Sequence, residues 1–215
     1  MAVTSSKALR ICTLEQRGEV NYENDDTKLA LVDDDFDWDG KKHKAWDASE
    51  WESETVYAKG DIVKPTSPTG YLYRCITGGE TAASEPSWPE TFEDTKSDGD
   101  AEWECWSYHT KEHEITQENG YTGPVTLQTD GSDGMTVTEN ESDTRSEATA
   151  DDVEIKADGG SFGPTKGAVL FNDTHAEKPM VGYISFGSDF TPEDGVSVKI
   201  EDIMVTDKAI QGVTA

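Results

Sequence analysis

Three aspartates at alternate positions, Asp35, Asp37 and Asp39, with Gly40 behind them, reproduce the D-x-D-x-D-G opening of a calcium loop. In that pattern alternate carboxylates converge on a hard cation and the glycine permits a sharp turn. The bidentate glutamate that closes such a loop is missing, because Trp46 stands in its place. With 45 acidic residues in the chain such runs arise by chance, so the three are weak metal candidates and a solvated acidic loop is the default. Cys75 and Cys105 lie near the ends of two aromatic strand-like runs, which makes them candidate cross-strand neighbours and a candidate disulfide. Synthesis in a reducing cytoplasm argues instead for two buried thiols, with Cys12 a third on the core face of a helix. There is no CxxC, so a zinc site is not expected. His43, His109, His113 and His175 are scattered, and no nucleophile elbow, HExxH or P-loop is present. Paired carboxylates are too common here to single out a glycosidase acid/base pair. The expectation is a protein that is not an enzyme and carries no cofactor.

The elements that must position these residues are short and mostly β. Segment 5–17 places Leu9, Cys12 and Leu14 at helical spacing behind a serine N-cap, and Gly18 stops it, which predicts one short helix. TKLALV at 27–32 reads as a buried strand that runs into the acidic stretch 33–40. Thereafter β-type runs such as GYLYRCIT, AEWECWSY, KGAVLFND, MVGYISFG and VSVKIEDIMVT alternate with Gly, Pro, Asn and Asp clusters. The fold class expected is mainly β with one N-terminal helix.

Composition narrows the class of partner. The net charge of -27 leaves no basic footprint for displacing counterions from phosphates, so nucleic acid is excluded as a partner. No apolar run approaches the ~20 residues of a membrane span, and the N-terminus lacks the apolar core of a signal peptide, so membrane insertion and export are not expected. Leu, Ile, Val and Phe total 36 of 215 residues, few enough to raise the question of disorder. The 6 Trp, 7 Tyr and 6 Phe answer it in favour of a folded chain with a very acidic surface. Molar salt shortens the screening length to ~3 Å and removes most of the self-repulsion, so the expected source is halophilic, the rival being an acidic mesophilic protein.

Five of the six Trp fall between residues 46 and 108, and none lies beyond 112. Such a step marks domain boundaries, placed near 50 and 110: a discontinuous scaffold of 1–50 with 112–215, and an inserted module of 51–111. The run from Trp51 through Tyr57, Gly60–Asp61, Val63 and Tyr73 to EPSWP and DGDAEWECW resembles the chitin-binding type 3 modules (carbohydrate-binding families 5 and 12) and related small β-domains of phage structural proteins. Sugar rings present a flat C–H face that a fixed aromatic ring can cover at little entropic cost. The resemblance implies a carbohydrate platform, for which Trp51, Tyr57 and Trp88 are the candidates, while Trp103 and Tyr71 or Tyr73 are expected in the core.

The flanking sequence carries a second resemblance. Asp26 to Leu31, Gly120–Thr122, Gly159–Pro164, Val169–Asp173 and Gly182–Gly187 follow in order the strand and turn motifs of a family of small virion structural proteins from tailed phages. Lys166 and Gly167 depart from it, standing where an aromatic or Arg is commoner. The resemblance implies a β-sandwich-like scaffold that decorates the capsid exterior of a haloarchaeal tailed virus as a turret- or spike-like oligomer. Its partners would be the major capsid protein, further copies of itself as a pentamer or trimer, and a host cell-surface glycan. A tail-fibre or tail-tip adsorption protein, and a free carbohydrate-binding accessory protein, are the alternatives.

Overall fold

The computed structural model describes residues 5–141, 145–206 and 210–214. The chain is mainly β with a single α-helix, Leu9–Arg17, and forms two compact units, residues 1–41 with 113–215 and residues 42–112.

The larger unit is a β-sandwich-like scaffold. Its central sheet orders five antiparallel strands as Ser5–Lys7, Met180–Phe190, Thr165–Asn172, Thr27–Val32 and Val125–Thr126. Thr165–Asn172, Thr27–Val32 and the first seven residues of Met180–Phe190 are buried almost without interruption, because Leu29, Leu31, Val169, Phe171, Val181 and Ile184 supply apolar side chains to both faces. A second sheet orders Thr136–Asn140, Arg145–Thr149, Ser197–Thr206 and Val153–Lys156, with Ile210–Thr214 also on Ser197–Thr206. Here burial alternates, as Val153 and Ile155 turn inward between exposed Glu154 and Lys156, the period-2 pattern of a half-buried strand. Lys7 links the sheets: its ammonium donates to the Thr206 carbonyl at 2.8 Å and pairs with Glu15 at 2.6 Å.

The helix is shorter than the sequence predicts. Ser5–Lys7 pairs with Met180–Phe190 instead of capping the helix, and Ala8 takes the N-cap in extended backbone. Gly18 ends the helix in the left-handed region at φ 70°, as expected. Ile11 and Leu14 form the buried stripe, whereas Leu9 is exposed.

The smaller unit is built on a five-stranded sheet ordered Ser49–Glu50, Ile62–Lys64, Tyr71–Thr77, Ala101–Tyr108 and Thr95–Asp98, with a short pair Val56–Tyr57 and Gly79–Glu80. It begins at residue 42, earlier than the boundary expected near 50. Residues 42–50 belong to it because the Lys42 carbonyl accepts the Tyr108 N–H, Ala45 bridges to His109, and Ser49–Glu50 pairs with Ile62–Lys64. A bulge shapes the sheet: Leu72 opposes Ser107 and Tyr73 opposes Cys105, leaving Trp106 as the extra residue. Trp103 and Cys105 therefore pack with Tyr73 and Cys75, while Trp106 packs with Leu72 and Ala45 in a separate cluster. The Trp106 ring is further flanked by the Lys44 ammonium at 5.2 Å and the Arg74 guanidinium at 5.7 Å.

Candidate functional site

The three rings expected to form an exposed platform divide. Trp51 is a core residue, only 7% exposed, and its removal from the platform is a correction to the sequence reading. Its indole N–H donates to Asp98 Oδ2 at 2.8 Å, and the Trp103 indole donates to the same oxygen at 3.0 Å. Asp98 is the one fully buried carboxylate among the described residues. It accepts two indoles and, through Oδ1, the Ala82 N–H at 2.9 Å, so both carboxyl oxygens have hydrogen-bond donors from the module itself. Two polar indole edges that would otherwise need solvent are thereby drawn inward.

Tyr57 and Trp88 remain half-buried and come together. Both meet the buried Trp103 ring edge-on, Tyr57 at 5.0 Å and 74° and Trp88 at 5.9 Å and 69°. Trp88 also lies over Tyr73 at 4.3 Å. Its indole N–H donates to Glu85 Oε1 at 2.8 Å, and the Tyr73 hydroxyl donates to the Pro89 carbonyl at 2.8 Å, so the EPSWP segment is fastened on both sides of the ring. Glu85 accepts the Thr66 N–H at 2.9 Å and the Thr66 hydroxyl as well. Burial raises the Glu85 carboxyl, but the bonds from Thr66 and Trp88 outweigh it and hold the group below its ordinary value. The Tyr57 hydroxyl accepts the Glu52 N–H at 3.0 Å. Two rings held at fixed angles on a common buried base can receive a flat apolar surface with little loss of side-chain freedom. Tyr73 and Trp103 are core, as expected, whereas Tyr71 is half-buried.

A second aromatic group was not found from the sequence. Tyr71, Phe92 and Tyr108 meet at 4.9–5.6 Å, with the Lys42 ammonium 5.2 Å from Phe92 and 5.8 Å from Tyr108. The signal available was the pairing of two strand-end tyrosines, Tyr71 opposite Tyr108; Phe92 arrives from a loop and has no local pattern.

The candidate disulfide is overturned. Cys75 pairs with Trp103 and Cys105 with Tyr73, so the cysteines are diagonal, not opposed, and both are free thiols. Diagonal neighbours sit ~7–8 Å apart, beyond the ~4.4–6.8 Å between α-carbons that a disulfide spans. Burial pushes the Cys105 thiol up to about 11.

No group of three His, Cys, Asp or Glu among the described residues is arranged to hold a metal, and Asp35, Asp37 and Asp39 form no such group. Phe36 and Trp38 turn toward Tyr183, Phe36 at 5.2 Å and Trp38 at 5.9 Å. With the rings drawn inward, Asp35 and Asp37 are left exposed, and Asp39 accepts the Lys41 N–H at 2.9 Å. The other polar concentration is Asp47, which meets Lys64 at 3.0 Å, Lys111 at 2.9 Å and His109 Nε2 at 2.8 Å. His109 Nδ1 faces Glu112 at 2.7 Å. Both ring nitrogens are occupied by carboxylate partners within the module, and the group reads as a polar clasp.

Comparison of the chain with protein-family models, with curated proteins and with solved structures returned no significant match in any of the three.

Proposed function

We propose that this chain is a structural protein of a tailed-virus particle adapted to high salt, displaying a small aromatic module that adsorbs to neutral surface glycans. The observation that carries the reading is the convergence of the virion-type motifs. The strand motifs Asp26–Leu31, Val169–Asp173 and Gly182–Gly187 lie on three consecutive strands of the central sheet. The turn motifs are joined through Asn119, the residue before the first of them: its carbonyl accepts the Asp158 N–H at 2.9 Å, next to the second motif, and its amide donates to the Ser161 carbonyl within it at 2.6 Å. Gly120 is obligatory there, since at φ 96° a β-carbon would lie 2.1 Å from the Lys156 carbonyl oxygen.

The module supports the second half of the reading. It interrupts the scaffold sequence between residues that stay close: the Asp33 N–H donates to the His113 carbonyl at 2.9 Å in the scaffold, and the Tyr108 N–H to the Lys42 carbonyl at 3.0 Å in the module. A surface loop accepts such an insertion without disturbing the core. Many displayed copies turn weak glycan contacts into useful adsorption through avidity. Immunogold labelling of particles with an antibody to this chain tests the proposal. Symmetric clusters on the head support decoration, label confined to the tail moves the role to a tail fibre or tip, and unlabelled particles overturn it.

A further inference from the structure

The scaffold contains a cleft of about 390 Å³ lined by Ser6, Phe36, Asp37, Trp38, Lys166, Tyr183 and Ser185. Gly167 creates its floor: a β-carbon there would lie 2.5 Å from the Tyr183 ring, so the missing side chain lets that ring lie across the strand. The Tyr183 hydroxyl donates to the Lys166 carbonyl at 3.3 Å, which fixes the ring's direction. Trp38 stacks on it nearly parallel, at 5.9 Å and 26°, and buried Phe36 supports both at 5.2 and 6.3 Å. Around the stack stand a carboxylate, an ammonium and two hydroxyls. Lys166 gives one hydrogen bond to the Asp34 carbonyl at 3.2 Å, and an ammonium has three to give.

We infer that this cleft is a binding site for the end of a neutral glycan, separate from the aromatic face of the module and not dependent on it. A sugar ring has an apolar face for an aromatic platform and hydroxyls that both donate and accept, which suits a rim where donors and an acceptor alternate. Anionic ligands are disfavoured by the net charge of -27. A quaternary ammonium needs rings spread as a cage; here the rings pack on one another and Lys166 lines the rim. The volume is at the small end of the ~300–1,000 Å³ of ligand pockets, which fits one or two terminal sugars.

The test is calorimetric titration of the full chain carrying Trp88→Ala, so that the module's one half-buried indole is removed, with glucose, galactose, mannose, N-acetylglucosamine and cellobiose. At least one sugar is expected to bind, at least tenfold more tightly than glucose 6-phosphate or choline. Adding Trp38→Ala should weaken that binding tenfold or more. If that variant loses its circular dichroism spectrum, Asp37→Asn and Lys166→Ala at the rim replace it, each expected to weaken binding threefold or more. No sugar binding, equal binding of choline, or binding indifferent to these substitutions overturns the inference. Failure of the module's glycan contact would show separately, as unchanged binding between wild type and Trp88→Ala.

Discussion

Asp98 Oδ2 receives the indole N–H of Trp51 at 2.8 Å and holds that ring inside the module, although its sequence position marks it as a platform residue. The same oxygen holds Trp103, so one carboxylate sets the base on which Tyr57 and Trp88 rest. Asp98→Ala leaves two buried indole N–H groups unpaired and is expected to destabilise the module by about 2–4 kcal/mol, read by urea denaturation followed by tryptophan fluorescence. Asp98→Asn keeps an acceptor for the indoles but turns an amide toward the Ala82 N–H, so its loss should be intermediate.

Trp51 and Trp88 should separate stability from binding. Trp51→Ala empties a core site and is expected to lose about 3–5 kcal/mol, whereas half-buried Trp88→Ala should lose about 1–2 kcal/mol. Retention on a neutral glycan matrix should fall about tenfold or more for folded Trp88→Ala; retention equal to wild type would remove Trp88 from the contact.

The Asp47 clasp predicts a direction of pH dependence. Burial raises its carboxyl, but hydrogen bonds from His109, Lys111 and Lys64 overcome this and hold it far below the ordinary value. A group held low when folded stabilises the fold above its unfolded pKa of about 4, and that stabilisation is lost as pH falls below this value. Melting curves between pH 6 and pH 2 should therefore show a steep decline below about pH 4. Asp47→Asn should start less stable and decline less steeply over the same range.

Thiol reactivity tests the strand register. With its pKa pushed up to about 11, Cys105 is mostly protonated at pH 8. Its alkylation in the folded chain should be about a hundredfold slower than that of an unfolded cysteine with a pKa near 8.5. Added reductant should leave the melting temperature unchanged, because Cys75 and Cys105 are free; a drop on reduction would contradict the diagonal pairing.

Salt should act through the surface. Since Asp98 is the one fully buried carboxylate among the described residues, the remaining acidic side chains there are wholly or partly open to solvent and repel one another. The melting midpoint is expected to rise by several degrees between dilute buffer and molar KCl. An unchanged midpoint would return the chain to the acidic mesophilic class.

Local pattern was enough for the features that local chemistry controls. The β-rich class, the helix stop at Gly18 and strands such as Thr27–Val32 and Ala101–Tyr108 follow from apolar alternation, continuous apolar runs and glycine backbone freedom, all confined to a few neighbouring residues. Ring exposure could not be read this way. Trp51 is buried because Asp98, far along the chain, accepts its N–H, and Trp106 leaves the Trp103 cluster because a bulge shifts the register against Leu72 and Tyr73. The same register separates Cys75 from Cys105. In the scaffold, Trp38 and Asp37 read as parts of an acidic loop, yet folding places them beside Tyr183, Lys166 and Ser6 to line a cleft. A side chain's exposure depends on partners brought by strand pairing, and pairing is settled by contacts that no short window of residues contains.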